Sequence, residues 1–136
     1  MIKIRLAEIK DLDRLDELDW HIDRGVIKKN IQDSMIYVLT DEDIIVGWLR
    51  YGLIFDMIPL VNLLYFIDDY RRKGLGLKLV CYWEEEMNKA GYNMVFISTQ
   101  SDEDSQHFLR KIGYTDMGGL LIPDQLPLEL VLYKRL

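Results

Sequence analysis

The sequence predicts a mixed α/β domain of six or seven strands with interspersed helices, and three observations predict it. Short runs rich in β-branched and aromatic residues recur, as at Lys3–Leu6, Met35–Thr40, Leu60–Ile67 and Tyr92–Ser98. One long segment, Gly74–Ala90, instead places Gly76, Leu79, Val80, Trp83 and Met87 at helical spacing. That helix separates the runs Leu60–Ile67 and Tyr92–Ser98, which predicts a parallel pair joined by a right-handed crossover. The 136 residues are expected to form one domain, burying about two-thirds of the surface its unfolded chain exposes.

In chain order, Lys3–Leu6 alternates and reads as a first strand. Ile9–Trp20 carries Ile9, Leu12, Leu15, Leu18 and Trp20 among charges, an amphipathic helix capped near Asp11. Ile22–Asp33 is a less regular helix with Val26, Ile27 and Ile31 apolar and Gly25 as its weak point. Met35–Thr40 and Ile44–Phe55 are strands joined by the turn Asp41-Glu42-Asp43. Asp56–Pro59 breaks the pattern before the strand Pro59–Ile67. After the central helix Gly91 is a stop signal, and Tyr92–Ser98 is a buried strand. Ser101 or Asp102 caps a short helix reaching Ile112, its apolar face made by Ser105, Phe108, Leu109 and Ile112, and Gly113 ends it. Tyr114–Ile122 and Leu128–Lys134 form a closing pair around Pro123 and Pro127. No repeat, linker or low-complexity tract interrupts the chain.

Composition narrows the function classes. A hydrophobic share of 49% with 29% charged residues is ordinary for a soluble globular protein. The net charge of −6 argues against nucleic acid as a partner, because a footprint on DNA needs a basic face. Cys81 is the one cysteine, so no intrachain disulfide forms and a reducing cytoplasm is compatible; mid-helix, it reads as a packing residue rather than a nucleophile. The N-terminal MIKIRLAEIKDLD carries charges throughout and reads as neither signal nor transit peptide. The apolar stretches fall short of the ~20 residues that span a membrane, so no membrane partner is expected.

Against the acidic background, Arg71, Arg72, Lys73 and Lys78 cluster around Gly74 and Gly76, between a strand and a helix start. Backbone N–H groups at a helix start have no intrahelical acceptor, and the helix dipole favours an anion there by roughly 0.3–1 kcal/mol. Phosphate is the guest this pattern suits. A Walker loop is excluded because no Lys-Ser or Lys-Thr follows the glycines. A dinucleotide fingerprint is excluded because Leu79 stands where a third small residue is required.

What remains, Arg71-x-x-Gly74-x-Gly76, resembles the acetyl-CoA pyrophosphate loop of the GNAT N-acetyltransferase superfamily. The segment Asp102-x-x-Ser105-x-x-Phe108-Leu109-Arg110-Lys111-Ile112-Gly113-Tyr114 is similar to a second segment of that family, with Lys111, Gly113 and Tyr114 in register. The order of elements is similar as well, so the resemblance covers essentially the whole chain. It implies a mixed, mostly antiparallel sheet with helices on both faces and a splayed parallel pair of strands 4 and 5. It implies acetyl-CoA as cosubstrate and no metal. The backbone of Arg71, Arg72, Lys73, Gly74, Leu75 and Gly76 would take the pyrophosphate, and main-chain groups of Phe66 and Ile67 the pantetheine arm. Asp102, Ser105 and Phe108 would line the other side of that arm, although helix capping explains Asp102 equally well.

The implied reaction is direct acetyl transfer to a primary amine, carried by a small molecule or a peptide. Freeing a lysine-like amine of pKa about 10.4 at neutral pH costs roughly 4–5 kcal/mol, so a base or water wire matters most. Ile58–Ile67 contains no Asp or Glu; Asn62 is its only amide and could hold a water, or it could serve a bulge, while Asp56 lies upstream. Where the family often has a Tyr to protonate the leaving thiolate, this chain has Leu109, with His107, Tyr65 or Tyr114 as substitutes. A thiol of pKa about 8.5 loses only about 2 kcal/mol without that acid. These two departures keep a second reading alive, an acyl-CoA-binding sensor without turnover. A third, docking of the basic loop on nucleic acid or membrane, is disfavoured by the net charge. Glu42, Asp43 and Asp56 would attract a cationic acceptor only if they flank the groove. The expected assembly is a monomer or a homodimer.

Overall fold

The β-branched and aromatic runs form seven strands: β1 (Ile2–Leu6), β2 (Ile36–Asp41), β3 (Ile44–Ile54), β4 (Ile58–Phe66), β5 (Met94–Gln100), β6 (Thr115–Leu120) and β7 (Glu129–Arg135). Four helices accompany them, α1 (Leu12–Leu18), α2 (Arg24–Gln32), α3 (Leu75–Lys89) and α4 (Ser105–Lys111), in a computed structural model that describes residues 1–136. The strands make one sheet in the order β1-β2-β3-β4-β5-β7-β6, mostly antiparallel, with β4 and β5 parallel as the crossover argument requires. By its contacts the chain divides into two compact units, Met1–Tyr51 with Leu63–Trp83, and Gly52–Asn62 with Glu84–Leu136.

In the first unit, α1 and α2 set Leu12, Leu15, Ile27 and Ile31 against Ile36, Val38, Ile45 and Trp48 of the sheet. Leu63 and Tyr65 of β4 pack against the same cluster. Residues of opposite parity, Tyr37 and Tyr51, meet Tyr82 and Trp83 of α3 at ring separations of 5.8 and 5.7 Å. Period-two alternation thus gives each strand one face for each helical layer. Gly47 is small because the Phe66 ring occupies the space beside it: a Cβ there would lie 2.2 Å from that ring.

The predicted helix Ile9–Trp20 is shorter and broken: a 3-10 turn at Ile9–Asp11 precedes α1, which stops at Leu18. The cause is Asp19, whose carboxylate is 1% exposed and binds away from its own helix. Its Oδ2 accepts from Arg50 Nε at 2.7 Å and Trp48 Nε1 at 3.1 Å, and its Oδ1 faces His21. Trp20, expected on the apolar face, is therefore pushed outward and is 76% exposed. Two hairpins use residues in the left-handed region at both central positions, Glu42 and Asp43, then Phe55 and Asp56, the backbone of tight turns matched to strand twist. Cys81, read as a packing residue, lies on the exposed face of α3.

In the second unit, β5 and β7 pair along their length from Met94↔Arg135 to Gln100↔Glu129, and β6 adds to β7 across a bulge at Asp116/Gly118. Buried Glu84 of α3 accepts from Tyr114 Oη at 2.7 Å and from Lys134 Nζ at 3.1 Å. Lys134 also reaches the Ile112 carbonyl, so one ammonium ties the end of α4 to β7. The short helix begins later than predicted: Asp104 is its N-cap residue, and Ser101 and Asp102 lie outside it.

Three stability effects are expected. Arg50→Met should destabilise the protein by roughly 3–5 kcal/mol in urea unfolding, because Asp19 is left as a buried charge without its cation. Gly47→Ala should cost about 1–3 kcal/mol by the same assay, as the Phe66 ring must move. Asp11 gives the pH dependence. Burial alone would raise its carboxyl, but Arg5, the Glu8 N–H and nearby Lys10 outweigh burial and hold it below the ordinary 3.8. A carboxyl lowered in the folded state stabilises the fold above its unfolded value and loses that effect as pH falls through the folded one. Asp11→Asn is therefore expected to be less stable than wild type at neutral pH, the gap closing below about pH 3.8.

Candidate active site

The loop between β4 and α3 is built by its own side chains. Tyr70 Oη donates to Asp41 Oδ2 at 2.7 Å, pinning the 3-10 turn Asp68–Tyr70 to the end of β2. That hydrogen bond raises the Tyr70 hydroxyl above its ordinary 10.0 and holds the Asp41 carboxyl below 3.8. Arg71 turns back on the chain: Nε donates to the Phe66 carbonyl at 2.8 Å, a terminal nitrogen pairs with Asp68 at 2.9 Å, and the guanidinium lies 4.8 Å from the Tyr65 ring centroid. Arg71 thus braces the loop rather than reaching away from it. Lys73 lies over the Tyr70 ring, while the Arg72 and Lys78 side chains are exposed.

The backbone alternates in hand. Arg72 has φ +61° and Gly74 φ +76°, with Lys73 between them in the ordinary region. Alternation of this kind turns successive N–H groups into a concavity for an anion. A Cβ on Gly74 would meet nothing within 4 Å, so glycine is there for its conformation rather than for space. α3 begins at Leu75, and the first N–H groups of a helix have no acceptor within it. Alternating hand, a fresh helix start and three basic side chains fit a doubly charged phosphate ligand.

Main-chain groups of β4 complete this half of the site. The ladder with β5 covers only Leu60 and Val61. The Ile67 N–H donates to the Val46 carbonyl at 2.9 Å and its carbonyl accepts from Tyr70 N–H at 3.0 Å. Both main-chain groups of Ile67 are therefore engaged within the fold, as is the Phe66 carbonyl, which accepts from Arg71. By strand alternation, the groups of Leu64 and Phe66 face away from β3 along the open edge. Leu64 stands two residues before Phe66 on that edge and lies outside the residues expected from the sequence.

The second matching segment lies in the other unit. Ser105 Oγ is 2.6 Å from Thr99 Oγ1, joining the first turn of α4 to β5. Asp102 is exposed and Phe108 half-buried. His107 is exposed, its Nδ1 3.4 Å from Arg110, whose guanidinium is paired twice at 2.9 Å with Asp116. Leu109 is 3% exposed, and Tyr114 donates to buried Glu84, so neither offers a proton to a ligand. Asn62 is exposed on β4, and Asp56 sits in the β3–β4 turn in the left-handed region. The chain holds no group of three or more His, Cys, Asp or Glu side chains suited to a metal ion.

Asp19 and His21 were hidden from the sequence reading at the boundary between two expected helices. The available signal was a short carboxylate two residues before a histidine at a helix end.

Comparison with known proteins identifies the fold and the family. The sequence profile of the acetyltransferase (GNAT) family matches residues 6–114. No curated protein sequence matches the chain. A GNAT-family acetyltransferase from Bacillus cereus has the same fold at 24% identity, with a TM-score of 0.81 over 99% of this chain and 97% of its own. The protein yncA from Salmonella typhimurium, solved with its cofactor acetyl-CoA, superposes with a TM-score of 0.82 at 15% identity over 98% of this chain and 93% of its own. The ribosomal-protein-S18-alanine N-acetyltransferase from Escherichia coli superposes with a TM-score of 0.78 at 16% identity over 99% and 94%. The profile spans most of the chain, from the end of β1 through the segment that closes on Tyr114, and the chain belongs to the GNAT family of acetyltransferases.

Proposed function

We propose that these 136 residues act as one N-acetyltransferase domain that moves an acetyl group directly from acetyl-CoA to a primary amine. The observation that carries this reading is the braced loop Arg71–Gly76, with its alternating backbone at the start of α3 and the open β4 edge just upstream. Bound there, acetyl-CoA supplies an activated acyl thioester. The N–H groups of Arg72 to Gly76 would hold its pyrophosphate, with the exposed Arg72 and Lys78 adding positive charge. The main-chain groups of Leu64 and the N–H of Phe66 would hydrogen-bond the amide-bearing arm as an added strand, a mode that gains affinity without asking for particular side chains. Arg71 acts indirectly, fixing the Phe66 carbonyl and the Asp68 turn.

Relatives differ in acceptor: the Escherichia coli neighbour is named for an alanine on a ribosomal protein. For this chain we keep the broader class, a small-molecule or peptide amine. No helix is long and apolar enough to cross a membrane, and we infer a cytoplasmic enzyme from the single cysteine.

A second reading, an acyl-CoA-binding module without turnover, is favoured by one observation: buried Leu109 stands where many family members have a proton-donating Tyr. Titration with acetyl-CoA followed by an amine panel scored for free thiol separates the two. Thiol release with any amine establishes the transferase, whereas tight binding with no release from any amine establishes the sensor. The loop itself is tested by Gly74→Val. A β-branched residue at φ +76° is strained by about 1–2 kcal/mol or more, so acetyl-CoA affinity should fall at least about tenfold by calorimetry. Unchanged affinity would remove the loop from the donor site.

A further inference from the structure

Between α1 and α2, Asp19, Trp20 and His21 form a cluster that donor binding leaves unused. Asp19 Oδ1 lies 3.2 Å from His21 Nδ1 and 3.3 Å from the His21 backbone N–H, so one oxygen holds both ring and main chain. Its Oδ2 is held by Arg50 Nε and Trp48 Nε1, so the carboxylate cannot swing away. A carboxylate only accepts, which puts the imidazole proton on Nδ1 and leaves Nε2 with its lone pair. The Trp20 indole covers one imidazole face at 4.0 Å and an interplanar angle of 21°. The Tyr65 ring meets the imidazole edge-on at 6.3 Å. The imidazole nevertheless remains 34% exposed.

Tyr65 connects this cluster to the donor. It lies on β4 between Leu64 and Phe66, the residues whose main-chain groups line the open edge, and Arg71 stacks on its ring. His21 therefore meets the side chain of the residue that stands between the two groups of that edge. Candidates elsewhere lack these features. β4 carries no carboxylate, Asp56 belongs to the β3–β4 turn in the other unit, and Asn62 has no basic atom.

We propose that His21 is the general base of the transfer, with Asp19 as its positioning residue, and that the amine arrives as an ammonium ion against the exposed Trp20–His21 face. An indole favours a cation over its face, which suits the protonated form of the acceptor. This inference rests on the donor reading above. The acceptor ammonium gives one proton to His21 Nε2. The freed nitrogen lone pair forms a bond to the thioester carbonyl carbon, and the C–S bond breaks with its electron pair on sulfur. The second nitrogen proton ends on that sulfur as the thiol, and the proton on His21 passes to water. Ammonium and thioester thus become amide, thiol and one released proton.

Wild type, His21→Gln and His21→Ala are compared by acetyl-CoA calorimetry, by thiol release with the amine that wild type turns over fastest, and by 15N NMR of the imidazole. Donor affinity is expected to stay unchanged in both variants, while kcat/KM falls about 100-fold or more. Added imidazole should restore activity to His21→Ala, which filling a purely structural gap in a glutamine variant would not do. The wild-type ring should carry its proton on Nδ1. Activity of His21→Gln within about threefold of wild type overturns the assignment, and so does a proton found on Nε2. Failure of wild type to bind acetyl-CoA would overturn the donor reading instead, leaving the imidazole tautomer as the independent measure of the dyad.

Discussion

A buried carboxylate governs the first unit of this protein. Asp19 has lost its water, and four donors from three places in the chain replace it: the backbone and ring of His21, the indole of Trp48 and the guanidinium of Arg50. Taking a charge out of water costs several kcal/mol unless its lone pairs are filled, so these partners must all be in place together. Their arrangement stops α1 at Leu18, sets the path to α2 and turns Trp20 outward. One electrostatic constraint therefore shapes both a helix end and the surface beside it. Glu84 does the same in the second unit, where Tyr114 and Lys134 converge on one buried carboxylate.

The Arg71–Gly76 loop is braced both by near neighbours and by one contact distant in sequence. Tyr70 reaches Asp41 and Arg71 reaches Phe66 and Asp68, and these contacts hold a backbone of alternating hand in front of α3. Side chains that might have been assigned to a ligand are spent on shaping main-chain N–H groups. In the donor site we propose, a phosphate would meet the backbone rather than the particular bases around it.

The open edge of β4 explains how a strand can be both scaffold and ligand site. Its inward side chains, Leu63 and Tyr65, are held by the core under α1 and α2. Its main-chain groups at Leu64 and Phe66 have no β5 partner, since the ladder ends at Val61. Packing fixes the strand in position, while the end of the ladder leaves these groups without a strand partner, the Phe66 carbonyl accepting from Arg71 instead. Tyr65 belongs to both arrangements, touching Trp48, His21 and Arg71.

Local physics made much of this legible from the residues alone. Periodicity located the central helix and its buried stripe Leu79, Val80, Trp83 and Met87, the crossover length predicted the parallel pair, and Arg71-x-x-Gly74-x-Gly76 marked the turn of alternating backbone hand before α3. Each of these depends on neighbours within a few residues, so order in the chain suffices. Tertiary structure decided what depends on partners distant in sequence. Asp19 meets Arg50 across 31 residues, and Tyr114 meets Glu84 across 30. No periodicity announces a buried carboxylate, because its partners come from other elements. For the same reason the extent of α1, the exposure of Trp20 and Cys81, and the main-chain partners of Ile67 were settled only by folding. The sequence by itself determined which family this protein belongs to. The packing of distant polar groups decided which side chains remain free to do chemistry.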